Sequence, residues 1–178
     1  VPGAIDARFV KIVKPKRFKD AEFSRIMRNA MRRAVRQIRK DFELTTKTWE
    51  HEVVFKEHTH LTKRTPSPAV SVTTDDEIYG YVNNGTRPHE IWAGIYTGKS
   101  EAKVLAFPSM FAPKTKVGVI HSWPGMSGGE TVFRPYVQHP GTEAREFDKV
   151  IREEREPWFK SQMEKAMSVA RKSSGHPA

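Results

Sequence analysis

Asp20-Ala21-Glu22-Phe23-Ser24-Arg25-Ile26-Met27-Arg28-Asn29-Ala30-Met31-Arg32-Arg33-Ala34-Val35-Arg36-Gln37-Ile38-Arg39-Lys40-Asp41-Phe42-Glu43 is the stretch from which the rest of the chain is read. At 100° per residue, Phe23, Ile26, Met27, Ala30, Met31, Ala34, Ile38 and Phe42 share one broad face. Arg25, Arg28, Arg32, Arg36 and Arg39 form a stripe opposite. Asp20 is placed to cap the N-terminus and Glu22 suits the positive end of the helix dipole. The pattern predicts a long amphipathic helix that buries one side and presents guanidinium groups on the other. A basic stripe is often only a solvated helix face. Arginine with few acids among it also suits phosphate or an acidic partner, and charge alone does not choose between them.

The charge of the whole chain points back to this stretch. The 178 residues carry 31 Lys or Arg against 21 Asp or Glu, a formal charge of +10. Residues 1–65 hold 17 basic against 8 acidic side chains, so nine of the ten excess charges lie in the first third. Hydrophobic residues are 37%, a modest share, but four Trp, four Tyr and ten Phe give bulk for a core. Cysteine is absent, which excludes a disulfide scaffold, a Cys-based zinc or iron-sulfur site and a thiol nucleophile. No apolar run approaches the roughly 18 residues of a membrane span, and Val1-Pro2-Gly3-Ala4-Ile5-Asp6 does not read as a signal peptide. A soluble protein, made in a cytoplasm and without membrane partners, is expected.

Outward from the helix, residues 5–13 read as a short strand ended by Pro15, and Trp49–His58 alternates as a half-exposed strand. A basic loop near 59–68 follows. Its Lys63, Arg64, Pro66 and Pro68 read as a projecting, mobile arm. Ala69–Thr74 and Ile78–Val82, joined through Asp75-Asp76-Glu77, predict an antiparallel hairpin. Ile91–Tyr96 and Val104–Phe107 predict two more strands. The Gly-, Pro- and Ser-rich stretch near 108–130 reads as an excursion in which Val117–Ile120 pairs briefly. From Thr142 a helical period returns, with a kink or a break expected at Pro157. The expected fold is α+β: one domain over 1–172, its antiparallel sheet covered by the basic N-terminal helix and a kinked C-terminal helix, with 173–178 a disordered tail.

Enzyme motifs are missing. Neither GxGxxG nor GxxxxGK[ST] occurs, there is no GxSxG elbow, and Gly125-Met126-Ser127-Gly128-Gly129 reads as a turn. Seven His raise a metal reading. His58 and His60 would share one strand face, but His51, His89, His121, His139 and Glu90 would have to converge on them, and no HExxH spacing exists. No catalytic residue, metal ligand or cofactor is assigned.

Three stretches carry a resemblance: Tyr79-Gly80-Tyr81-Val82-Asn83-Asn84-Gly85-Thr86-Arg87-Pro88-His89-Glu90-Ile91, then Leu105-Ala106-Phe107, then Val137-Gln138-His139-Pro140-Gly141-Thr142-Glu143-Ala144-Arg145-Glu146-Phe147. In order and spacing they resemble the tail-component, or tail-completion, family of long-tailed bacteriophages, over roughly residues 79–170. The family often has Pro where this chain has Glu146 and Lys149, which leaves the start of the last helix open. Gly85 and Gly141 suit turn positions with positive φ, Thr86 and Thr142 can cap locally, and Pro88 and Pro140 fix the chain at strand ends. Arg87 completes the first turn. His89 and His139 are expected near each other as hydrogen-bonding partners of these turns, in a structural role.

The resemblance implies a non-enzymatic structural protein of the virion neck, joining the tail to the DNA-filled head as a ring around the DNA channel. It implies a homo-oligomer, taken as a hexamer, contacting neighbouring neck or connector proteins and the tail-tube or tail-terminator protein, with the loop bearing Lys63, Arg64, Pro66 and Pro68 and the stretch 108–130 reaching adjacent subunits or neighbouring neck proteins. Assembly would take place in the bacterial host cytoplasm. Contact with passing phage DNA would be transient and non-specific, and the Arg stripe would either line the channel or dock on an adjoining ring. The alternative from another class is a freestanding nucleic-acid-binding protein using helix 20–43, although no helix-turn-helix, RRM or KH pattern is present.

Overall fold

The computed structural model describes residues 7–8, 20–61 and 68–173. In chain order the elements are β1 (Ala7–Arg8), α1 (Asp20–Thr46), β2 (Lys56–His60), β3 (Ala69–Thr73), α2 (Glu77–Asn84), β4 (His89–Trp92), α3 (Gly94–Thr97), β5 (Leu105–Ala112), β6 (Met126–Arg134), β7 (Tyr136–His139) and α4 (Phe147–Ser173). The class is α+β, as expected, with long helices at both ends of the described chain. The strands, however, form three small antiparallel sheets, ordered β1-β3-β2, β4-β7 and β5-β6.

Packing starts from α1. Met27, Ala30, Met31, Ala34, Ile38 and Phe42 are all buried, so the apolar face read from the sequence is the core face; Val35 joins it, and Phe23 and Ile26 are only partly buried against it. They meet Phe147, Ile151, Phe159, Met163 and Ala166 of α4, Val70 and Val72 of β3, and Val53, Phe55 and Tyr79. Each large apolar side chain so removed from water contributes about 1.5–3 kcal/mol. Tyr79 sits among rings, 5.1 Å from Phe55, 5.8 Å from Phe147 and 6.4 Å from Phe42 between centroids. Burial pushes its phenol well above the ordinary tyrosine pKa, with the neighbouring Thr45 hydroxyl offsetting part of the shift. One charged pair crosses this interface: Arg155 of α4 donates Nε–H and Nη2–H to Asp41 of α1, at 2.5 and 2.7 Å, with Asp41 2% exposed. The same guanidinium lies 5.7 Å from the Trp158 ring.

Several elements differ from expectation. Ile78–Val82 is helical, within α2, because Asp76 caps it: its Oδ1 accepts the Tyr79 amide at 2.7 Å and Glu77 follows in the first turn. Tyr79 and Asn83, four apart, are the buried side. No 69–74/78–82 hairpin forms, and β3 pairs with β2 and β1 instead. Over 49–58 only Lys56 onward is strand, since β3 ends at Thr73 opposite Lys56. Val53 and Phe55 still alternate inward without a ladder partner. The strand expected over 91–96 stops at Trp92, and α3 follows. Residues 108–130 are not all loop: β5 and β6 extend into both ends of the stretch as a hairpin with a register shift between Pro108 and Met110, leaving 113–125 as the connection, and Val117–Ile120 is not strand. Helix α4 is continuous through Pro157, with no break into two. That proline is exposed, so the carbonyl of Glu153 left without an amide partner is on the solvent side, where water can replace it. Of the strand over 5–13 only Ala7–Arg8 is described, and the stretches 62–67 and 174–178 lie outside the described residues.

Asp41→Asn removes the counter-charge of Arg155 and leaves the guanidinium half-enclosed. We expect a loss of roughly 2–4 kcal/mol, read as a lower urea midpoint with an unchanged slope.

Candidate functional site

The two turns that carry the resemblance close on each other. Thr86 and Thr142, 56 residues apart, form an isolated antiparallel bridge. The Thr86 amide donates to the Thr142 carbonyl at 2.9 Å and the Thr142 amide to the Thr86 carbonyl at 3.2 Å, with Thr86 Oγ1 accepting from the same amide at 3.0 Å. Gly85 and Gly141 have φ of 72° and 90°, and the space around them is filled. A Cβ on Gly85 would lie 2.6 Å from the Thr142 carbonyl oxygen, and one on Gly141 would lie 2.3 Å from that of Thr86. Glycine is therefore required twice over, by conformation and by close approach.

The clasp also starts α4. The amides of Arg145 and Glu146 donate to the carbonyls of Val82 and Asn83 at 3.1 and 3.0 Å, and Asn83 Oδ1 accepts the Asp148 amide at 3.3 Å. The end of one helix thus caps the beginning of another, and Glu146, at φ 50°, makes the bend that admits Phe147 to the core. Beyond the clasp β4 and β7 pair, with His89 opposite His139 and their ring centroids 5.0 Å apart, as the sequence led us to expect. His139 Nδ1 accepts the Gly141 amide at 3.1 Å, and His89 Nδ1–H donates to the Arg87 carbonyl at 2.8 Å. Both imidazoles fasten their own turns. Arg87, Pro88 and Pro140 lie exposed on the same turns.

From the clasp the chain runs out as a two-stranded arm. The Ala93 amide donates to the Pro135 carbonyl at 2.9 Å and makes the corner between β4–β7 and β5–β6. The tip, residues 113–125, returns to the body. Ser122 donates its amide and hydroxyl to the Leu44 carbonyl at 3.2 and 3.1 Å, Thr48 Oγ1 donates to the Trp123 carbonyl at 2.5 Å, and Lys114 pairs with Glu50 at 3.1 Å. Arg145 Nε–H reaches Thr115 Oγ1 at 3.3 Å. The stretch expected to project is therefore tied down at its tip.

Between its two anchors the arm is largely unpacked. Among its described residues only Ile120 joins the core cluster. Trp92, Tyr136, Phe133, Tyr96 and Phe111 are 42, 46, 58, 61 and 72% exposed. Trp92 stacks on Tyr136 at 4.9 Å and fixes its indole by donating to Glu90 at 3.0 Å. Sequence reasoning missed this surface. The signal was there in Leu105–Ala112, an uncharged strand too apolar for a solvated hairpin.

The Arg face lies on α1, apart from the arm. Arg25 is 3.7 Å from Glu22, and Arg39 is 3.5 Å from Glu43 and 2.8 Å from Glu57. Among the described residues, Arg28, Arg32, Arg33 and Arg36 have no carboxylate within 4.0 Å, and all four are exposed. Of the candidate inter-subunit loop, Lys63, Arg64 and Pro66 lie outside the described residues. Pro68 is buried rather than projecting, because it sets the entry into β3. His58 and His60 hydrogen bond to Thr73 and Ser71, at 3.0 and 3.3 Å, and no group of three or more His, Cys, Asp or Glu among the described residues is placed to hold a metal. No described helix is long and apolar enough to cross a membrane. Comparison with protein-family profiles, curated proteins and solved structures finds no match for this chain.

Gly85→Ala and Gly141→Ala should each cost on the order of 3 kcal/mol, measured by chemical denaturation. Gly98→Ala is the control. It shares positive φ, 68°, but has nothing within 4 Å, so about 1 kcal/mol is expected.

Proposed function

We propose that this protein is a structural, non-enzymatic component of the bacteriophage neck that works as a homo-oligomeric ring between head and tail. The observation that carries the reading is the arm: a hairpin held at both ends whose aromatic and aliphatic side chains are left in water. Exposed apolar side chains gathered on one arm mark a protein interface, and a two-stranded sheet alone is marginal without something to pack on. Bridge, arm and Arg face lie on different elements, which suits a heterologous contact in which one patch meets a different patch of the next copy, the arrangement that closes into rings.

The resemblance adds the setting. Two of the three stretches that carry it contain the turns joined by the Thr86–Thr142 bridge, so those residues have a common physical task. Six copies, neighbouring connector or neck proteins, and the tail-tube or tail-terminator protein are the partners that this reading supplies, with the finished virion as location.

Light scattering over a concentration series, followed by negative-stain imaging, tests the proposal. A closed ring with a central hole is expected for the wild-type chain. Phe111→Glu combined with Phe133→Glu should reduce the mass to that of a monomer while the melting temperature of the monomer stays within about 2 °C, since both side chains are exposed before assembly. A wild-type chain that stays monomeric with and without its docking partners would sink the reading.

A further inference from the structure

We infer that the exposed face of α1 formed by Arg28, Arg32, Arg33 and Arg36 takes the phosphate backbone of double-stranded DNA, without reading its sequence. The inference deepens the neck proposal, on which its biological setting rests, but its measurement does not need that proposal to hold.

Three observations favour a polyanion over an acidic protein surface. First, the structure divides the stripe. Its two ends are neutralised, Arg25 by Glu22 and Arg39 by Glu43 and Glu57, while the middle four arginines have no carboxylate near them among the described residues. No Asp or Glu occurs between Glu22 and Asp41. Second, this face has no apolar anchor. Every large hydrophobic residue of α1 from Met27 to Phe42 is buried against α4 and the sheet, and the residues left to solvent beside the arginines are the polar Asn29, Gln37 and Lys40. Protein interfaces are depleted of charge at their centre and need buried aromatic or aliphatic anchors, which this chain places on its arm instead. Phosphate-backbone binding needs no such anchor. Third, the spacing is regular: Arg28, Arg32 and Arg36 follow at four-residue steps, a rise of about 6 Å each, on a helix immobilised by its other side. A shallow hollow of about 280 Å³ lined by Ala21, Ser24, Arg25, Arg28, Asn29 and Arg32 adds a hydroxyl and an amide donor beside the guanidinium groups. Arginine forks bind phosphate oxygens two at a time, and a row of them grips a backbone without touching base edges.

The test is fluorescence anisotropy of a short labelled duplex of mixed sequence, titrated with the full chain between about 50 and 200 mM salt. The wild-type protein should bind with a steep salt dependence and with an affinity that does not change when the sequence is scrambled. The Arg28→Gln, Arg32→Gln, Arg33→Gln, Arg36→Gln variant, which keeps helix propensity, should lose about 3 units of the log–log salt slope and at least tenfold in affinity at the lower salt. Lys160→Gln with Lys165→Gln, two exposed cations of α4, should change the slope far less. Binding by the fourfold variant equal to wild type, no wild-type binding at the lower salt, or equal displacement by polyglutamate at matched charge would each overturn the inference, the last in favour of an acidic protein partner. Particle mass, read on the same samples, separates the two proposals. DNA binding by a chain that forms no ring with or without its docking partners sinks the neck reading and leaves a freestanding nucleic-acid binder, whereas rings that ignore DNA sink only the present inference.

Discussion

Helix α1 must choose one side to bury, and everything else in the molecule is arranged around that choice. Its apolar face contains enough side chains to meet α4, β3 and the segment before β2 at once, and the antiparallel partner α4 supplies Phe147, Ile151, Phe159 and Met163 from its own inner side. The Asp41–Arg155 pair fixes the rotation of the two helices about their axes, because a bidentate contact tolerates little angular error. Hydrophobic burial supplies the energy and is non-directional, whereas the ion pair adds direction. Once α1 is seated, its guanidinium row has nowhere to go but outward.

The second constraint is the clasp. A hairpin that leaves the body at one point would otherwise swing, yet Thr86–Thr142 and the Leu44–Ser122 contacts hold it at both ends. The first of these anchors also supplies the cap of α4, through Asn83, so the geometry of the arm and the packing of the core share the same backbone bonds. Displacing either glycine would move a helix start as well as a loop. This explains why two turns so far apart in sequence must both be built around glycine.

What was legible in the sequence follows from the range of the forces that make it. The amphipathic face of α1 is a local, period-3.6 signal repeated over six turns, and it reads correctly. The positive φ of Gly85 and Gly141 and the His89–His139 neighbourhood are also local consequences of turn chemistry and of antiparallel register. Ile78–Val82 misled because its β-branched and aromatic residues, Ile-Tyr-Gly-Tyr-Val, imitate a strand, while the decisive residue, Asp76, acts on the Tyr79 amide from outside the run. The arm misled for the opposite reason. Glycine, proline and serine in 108–130 are real turn formers, but Gly128 and Gly129 lie inside β6 at the register shift, where a long-range pairing with Met110 decides. Arg155 gave no sign of its partner 114 residues away.

The division of exposed surface is the last step. A chain with 37% hydrophobic residues has little to spare, yet it leaves Trp92, Tyr96, Phe111, Phe133 and Tyr136 in water along the arm, and on α1 four arginines with no carboxylate near them among the described residues. Solvation alone explains neither, since exposed aromatics raise the free energy of the isolated chain and like charges on one face repel. The two surfaces also differ in what they can recognise. The arm offers shape and apolar area, which discriminate between protein partners, and the helix offers charge in a row, which does not discriminate among sequences at all. Separating them lets one contact be tight and permanent while the other stays weak and salt-sensitive. The proposed neck role, in which the protein remains in place while a long polyanion moves past it, would call for that combination.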